Sequence, residues 1–111
     1  MSIDGLDLAL VRVDGDGERP AVELLAGHTV PYDDELKDRL RSARDAGAGT
    51  LARLDLDLGA WWAAATVRFL DREGVAADDV AAIGSHGQTI HHTPRTASAA
   101  AATLQIGQAD G

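Results

Sequence analysis

The chain contains no cysteine. That excludes disulfide staples and thiolate chemistry, and it fits a reducing compartment. Aromatic residues are scarce: Tyr32, Trp61, Trp62 and Phe69 are the full set. Alanine supplies much of the 45% hydrophobic share, and alanine buries little area, so the core of a 111-residue chain must be thin. Basic residues are also few. Ten Lys and Arg face eighteen Asp and Glu, for a net charge of −8, which argues against a nucleic-acid partner. No apolar run approaches the length of a membrane span, and the N-terminus has neither the basic nor the apolar region of a signal peptide. A cytoplasmic location follows as an expectation.

What is present reads as alternating strand and helix signals. Leu6, Leu8 and Leu10 alternate with Asp7, Ala9 and Val11, which predicts a strand over 6–13. Asp14-Gly15-Asp16-Gly17 is turn chemistry, and 21–30 is the return strand, so the chain opens with a β-hairpin. Asp33 or Asp34 caps a helix running to about Ala46, with Leu36, Leu40 and Ala43 on one face. Gly47 and Gly49 break it, and Thr50 caps a second helix. The second helix carries Leu51, Leu54, Leu58, Trp61, Trp62, Ala65 and Phe69 at spacings of three and four, with Gly74 as its closing residue. The apolar run 80–83 predicts a buried strand that ends in a polar loop, Gly84-Ser85-His86-Gly87-Gln88-Thr89-Ile90-His91-His92. An alanine-serine tract over 96–102 reads as a surface loop, and 103–107 as a last short strand. The long helix between strands suggests a crossover onto one mixed sheet, an α/β fold.

Candidate chemistry concentrates in the polar loop, because ligands of open α/β sheets bind beyond the carboxyl ends of strands. His86, His91 and His92 are metal ligands by residue type, but their spacing is not that of a zinc motif, and polar loop histidines are the better reading. Ser85 beside His86 is not a nucleophile elbow, since G-x-S-x-G is absent. Asp4 and Asp7 offer two carboxylates at the start of a strand, a pattern that suits a hydrated Mg²⁺ and that also occurs in any solvated turn. The Trp61-Trp62 pair suits stacking on a sugar, although its helical spacing with Leu58 and Ala65 favours core packing for at least one ring.

Two segments carry a resemblance. Ala82-Ile83-Gly84-Ser85-His86-Gly87-Gln88-Thr89-Ile90-His91-His92-Thr93-Pro94 and Thr103-Leu104-Gln105-Ile106-Gly107 strongly resemble the G-x-H-G-Q-T loop with its nearby proline, and the T-L-Q-I-G strand, of the anhydro-N-acetylmuramic acid kinases. The opening Met1-Ser2-Ile3-Asp4-Gly5-Leu6-Asp7 is similar to an abbreviated form of that family's M-S-G-T-S-x-D-G-x-D phosphate loop. The resemblance implies the sugar kinase, heat-shock ATPase and actin superfold, of which residues 1–111 would be a single, partial N-terminal lobe, a mixed sheet with helices. It implies an ATP-dependent reaction, with Mg²⁺, in which water opens the 1,6-anhydro ring of the amino sugar and the 6-position is phosphorylated, in recycling of cell-wall sugars. Carried over by position, Ser2, Asp4, Gly5 and Asp7 match the phosphate loop, and Gln88 and Thr89 match the sugar loop, which His86 shapes. A homodimer is a candidate assembly of the intact family protein.

The departures set further expectations. Ser2 passes directly to Ile3-Asp4 where the family has Gly-Thr-Ser, the backbone N–H groups and hydroxyls that cradle phosphate. The strand before that loop is missing, which leaves a sheet edge open to association and predicts marginal stability. The family's catalytic aspartate and its second lobe match nothing up to Gly111. The expectation is therefore an N-terminal piece of such a kinase, inactive alone, with no catalytic residue of its own. The alternative is a truncated, non-catalytic remnant or small sugar-binding module.

Overall fold

The computed structural model describes residues 3–15 and 17–107. Strands β1 (Gly5–Asp14) and β2 (Ala21–Pro31) form the expected antiparallel hairpin, with Leu6 opposite Val30 and Leu10 opposite Ala26. Leu6, Leu8 and Leu10 are half-buried, as their alternation requires. The register then slips: Val11 faces Leu24, so Leu25 is an extra residue and the ladder bulges there. Beyond the bulge Val11, Val13, Val22 and Leu24 are all exposed.

Helix α1 (Asp34–Ser42) starts at Asp33, whose carboxylate accepts the Leu36 amide at 2.8 Å. It ends earlier than the sequence suggests, tightening into a 3₁₀ turn over Ala43–Asp45. Helix α2 (Ala48–Glu73) then begins before Thr50. Gly47 is its N-cap, in an extended conformation and with no side chain to cap with, and Thr50 falls inside the first turn. Gly49 does not break the helix, because the first-turn N–H groups have no intrahelical partners to lose. Gly74 closes α2 in the left-handed conformation. The stripe Leu54, Leu58, Trp62, Ala65 and Phe69 is buried, with Leu58 fully enclosed. The Arg39–Asp57 ion pair at 2.9 Å ties α1 to α2 from the outside.

The strand expected over 80–83 is not formed. A 3₁₀ turn at Ala77–Asp79 leads into residues 80–87 with no ladder partner, and Ile83 is 73% exposed. An apolar run becomes a strand only where a neighbour pairs with it, and none among the described residues does. The polar loop is correspondingly shorter than expected. Its second half is strand β3 (Gln88–Thr93), antiparallel to β4 (Ala102–Ile106), with a bulge at Ile90. A single mixed sheet with a crossover is likewise replaced by two separate antiparallel pairs. The arrangement remains α/β, compatible with a partial N-terminal lobe of the sugar kinase, heat-shock ATPase and actin fold.

The core lies where α1, α2 and the second pair meet. Tyr32, Leu36, Leu40, Ala43, Leu54, Leu58, Trp62 and Ile106 pack together, flanked by Ile3, Leu6, Leu51, Trp61 and Ile90. No helix among the described residues is long and apolar enough to cross a membrane.

Candidate functional site

The two loop motifs, far apart in sequence, become neighbours in one ladder. Gln88 sits opposite Ile106 and Thr89 opposite Gln105. The Gln105 amide donates to the Thr89 hydroxyl at 3.4 Å, which binds the motifs side chain to side chain. The last residue of the second motif, Gly107, docks on helix α2. A Cβ there would lie 2.5 Å from Cζ3 of Trp62, and the residue has φ of 107°, so glycine is required twice over. Its amide donates to the Asp55 carboxylate at 2.6 Å.

Gln88 is the buried polar group at the centre of this junction, with no exposed surface. Trp62 Nε1 donates to the Tyr32 hydroxyl at 3.0 Å, and the hydroxyl donates to Gln88 Oε1 at 3.3 Å. Gln88 Nε2 donates to the Thr89 carbonyl at 3.4 Å. The Gln88 side chain, expected beside a sugar, is therefore turned into the core and holds the loop from beneath. Burial raises the Tyr32 hydroxyl above its ordinary value near 10.0; the Trp62 bond opposes the rise and the Asp7 carboxylate adds to it. The hydroxyl stays protonated and able to donate at neutral pH.

Above Gln88 the loop presents polar groups outward. His86 is exposed and its Nδ1 lies 2.8 Å from the Gly87 carbonyl, which can only accept, so Nδ1 carries the proton. In that tautomer the other ring nitrogen, Nε2, is an acceptor. Ser85 Oγ accepts the Gly87 amide at 3.4 Å. Thr89 is half-buried at the loop's edge. His91 and His92 bond to Thr93 and Thr103 at 2.9 and 2.7 Å. Among the described residues no three His, Asp or Glu side chains gather as metal ligands.

The positions matched to the family's phosphate loop lie at the foot of the hairpin. Ser2 falls outside the described residues. Asp4 is exposed, and its carbonyl accepts the Tyr32 amide at 3.0 Å. Gly5 opens β1, where a Cβ would lie 2.6 Å from the Val30 carbonyl, so strand pairing alone demands glycine there. Asp7 is exposed on the hairpin and its carboxylate accepts the Thr29 hydroxyl at 2.6 Å. Both carboxylates are hard oxygen donors of the type a hydrated Mg²⁺ takes, and the Asp7 one already accepts from Thr29.

Sequence reasoning missed Tyr32 and Asp55. Asp55 had a signal, a carboxylate between the leucines of an apolar helix; Tyr32 had none beyond being one of four aromatics.

The model of the anhydro-N-acetylmuramic acid kinase family matches residues 1–111. The chain belongs to that family. An anhydro-N-acetylmuramic acid kinase of Xanthomonas campestris pv. campestris is 41% identical over 112 residues, covering 97% of this chain and 29% of the relative. Kinases of the same name from Pseudoalteromonas atlantica and Gloeobacter violaceus are 39% and 36% identical, over 98% and 96% of this chain and again 29% of each relative. The chain thus spans less than a third of the length of the kinases it matches. The matched span takes in both motifs and helix α2, which carries Asp55 and Trp62.

Proposed function

We propose that this chain forms the sugar-side portion of an ATP-dependent kinase that converts 1,6-anhydro-N-acetylmuramic acid to N-acetylmuramic acid 6-phosphate, in cytoplasmic recycling of cell-wall sugars. The observation that carries the reading is the joining of the two family motifs in one ladder, Gln88 with Ile106 and Thr89 with Gln105. In this reading His86 and Thr89 offer the exposed acceptor and hydroxyl to the sugar's own hydroxyls, and Gln88 fixes the turn from within. Ser2, Asp4, Gly5 and Asp7 form the phosphate side, where Asp4 and Asp7 would hold Mg²⁺ through water. ATP, when bound, supplies the phosphoryl group. The group that activates water is assigned to none of these residues, so the chain alone binds and does not turn over.

Calorimetric titration with the anhydro amino sugar tests this. Saturable binding at up to millimolar sugar is expected, and none at that concentration would refute the sugar-side reading. With ATP and Mg²⁺ added, no phosphosugar should form; turnover would overturn the placement of the chemistry outside this chain.

A further inference from the structure

We propose that Tyr32 is the positioning residue that sets the two halves of the site against each other, its backbone holding the phosphate side and its hydroxyl the sugar side. The inference rests on the sugar-side reading above. Tyr32 lies between the end of β2 and the cap of α1 and is only 3% exposed. Its amide donates to the Asp4 carbonyl at 3.0 Å and its hydroxyl to Gln88 Oε1 at 3.3 Å.

The donor–acceptor chemistry permits one arrangement. An indole N–H can only donate, so Trp62 makes the Tyr32 oxygen an acceptor and leaves the hydroxyl proton for another partner. The carboxamide oxygen of Gln88 can only accept it. That fixes which end of the Gln88 amide points inward and sends Nε2 towards the Thr89 carbonyl, in the Thr89–Ile90 peptide. Trp61 meets the Tyr32 ring edge-on, with centroids 5.0 Å apart, and keeps it from swinging. The hydroxyl is not needed to fill space, since phenylalanine would occupy the same volume. Its function is orientation of the Thr89–Ile90 peptide, and through it of the Thr89 hydroxyl.

The test is Tyr32→Phe in the 111-residue chain, read by amide hydrogen exchange and by calorimetry with the anhydro sugar. One neutral hydrogen bond corresponds to about tenfold in local opening, so exchange at Gly87, Gln88, Thr89 and the Trp62 indole should rise about tenfold. The amides of β1 and β2 should be unchanged, and sugar affinity should fall several-fold. Unchanged exchange at residues 87–89, or an equal rise throughout the hairpin and α2, would overturn the proposal; the latter would make Tyr32 a residue of general stability. Gln88→Met gives a second handle, because it removes the acceptor from the other end. Its effect at residues 87–89 should be at least that of Tyr32→Phe, because the Nε2 bond to the Thr89 carbonyl is lost too, and should not add to it in the double variant; full additivity would also overturn the proposal. A wild-type chain that binds no sugar refutes the sugar-side reading alone, and the exchange data then decide the role of Tyr32 by themselves.

Discussion

Gly107→Ala isolates the junction between the second motif and helix α2. The new Cβ would lie 2.5 Å from Cζ3 and 2.7 Å from Cη2 of Trp62, distances that non-bonded carbons do not reach. The clash is with a ring buried in the core and hydrogen-bonded to Tyr32, not with a flexible tip. Overfilling a packed core in this way costs about 1–3 kcal/mol. Holding alanine at φ of 107° adds a backbone cost of about 1–3 kcal/mol. An expected loss of about 2–6 kcal/mol is a large share of the roughly 5–15 kcal/mol that holds a native domain together. Urea unfolding followed by tryptophan fluorescence reads it directly, because Trp62 sits at the junction and Trp61 packs against Tyr32 in the adjoining core. Gly49→Ala is the internal control. It lies in the first turn of α2 with nothing within 4 Å of its added Cβ, and should be neutral or stabilising by up to about 1 kcal/mol. A Gly107→Ala loss below about 1 kcal/mol, or equal behaviour of the two variants, would refute the packing described for Trp62.

Two further outcomes follow from the core. Leu58→Ala removes a fully buried side chain from the middle of α2 and should cost about 2–5 kcal/mol in the same unfolding assay; a cost under about 1 kcal/mol would mean that the stripe is not the core. Stability should also fall in alkali. The Tyr32 hydroxyl is raised in the folded state, so above the ordinary value near 10.0 the unfolded chain releases its proton first and unfolding is favoured as pH climbs. Urea midpoints measured at rising pH should drop from about pH 10 in the wild type more steeply than in Tyr32→Phe, and parallel curves would contradict the raised hydroxyl.

How much was legible in the sequence depends on how local each signal is. The hairpin was readable because alternating leucines and two Asp-Gly pairs specify strands and turn from neighbouring residues. The buried stripe of α2 was readable for the same reason: Leu54, Leu58, Trp62, Ala65 and Phe69 need only the helical period. The failures are non-local. Val80-Ala81-Ala82-Ile83 has the composition of a strand but no partner among the described residues, so Ile83 stays exposed. Thr89-Ile90-His91-His92 reads as polar loop, yet becomes β3 because β4 lies beside it. The capping of α2 by Gly47 rather than Thr50 is a matter of backbone geometry that a list of side-chain oxygens does not contain.

The candidate site divides in the same way. The motifs identified which residues to watch, but not which way they face. Gln88, with a side chain suited to a sugar, spends it on Tyr32, 56 positions away, and Tyr32 in turn accepts from Trp62, 30 positions further on. Neither separation has a period or a motif that would announce it. Gly5 and Gly107 illustrate the converse. Both fall in family motifs, and in both the structure supplies a packing reason for glycine: a strand carbonyl beside one and an indole ring beside the other.

The central claim is that the junction of β3 and β4 presents a sugar-binding edge through His86 and Thr89. It is tested most directly by titrating the isotope-labelled chain with 1,6-anhydro-N-acetylmuramic acid and following each backbone amide by NMR. Saturable shifts concentrated at residues 85–89 and 105–106, with the distal hairpin around Val13 and Val22 unmoved, are the expected result. No shifts at millimolar sugar, or shifts centred on the hairpin instead, would contradict it.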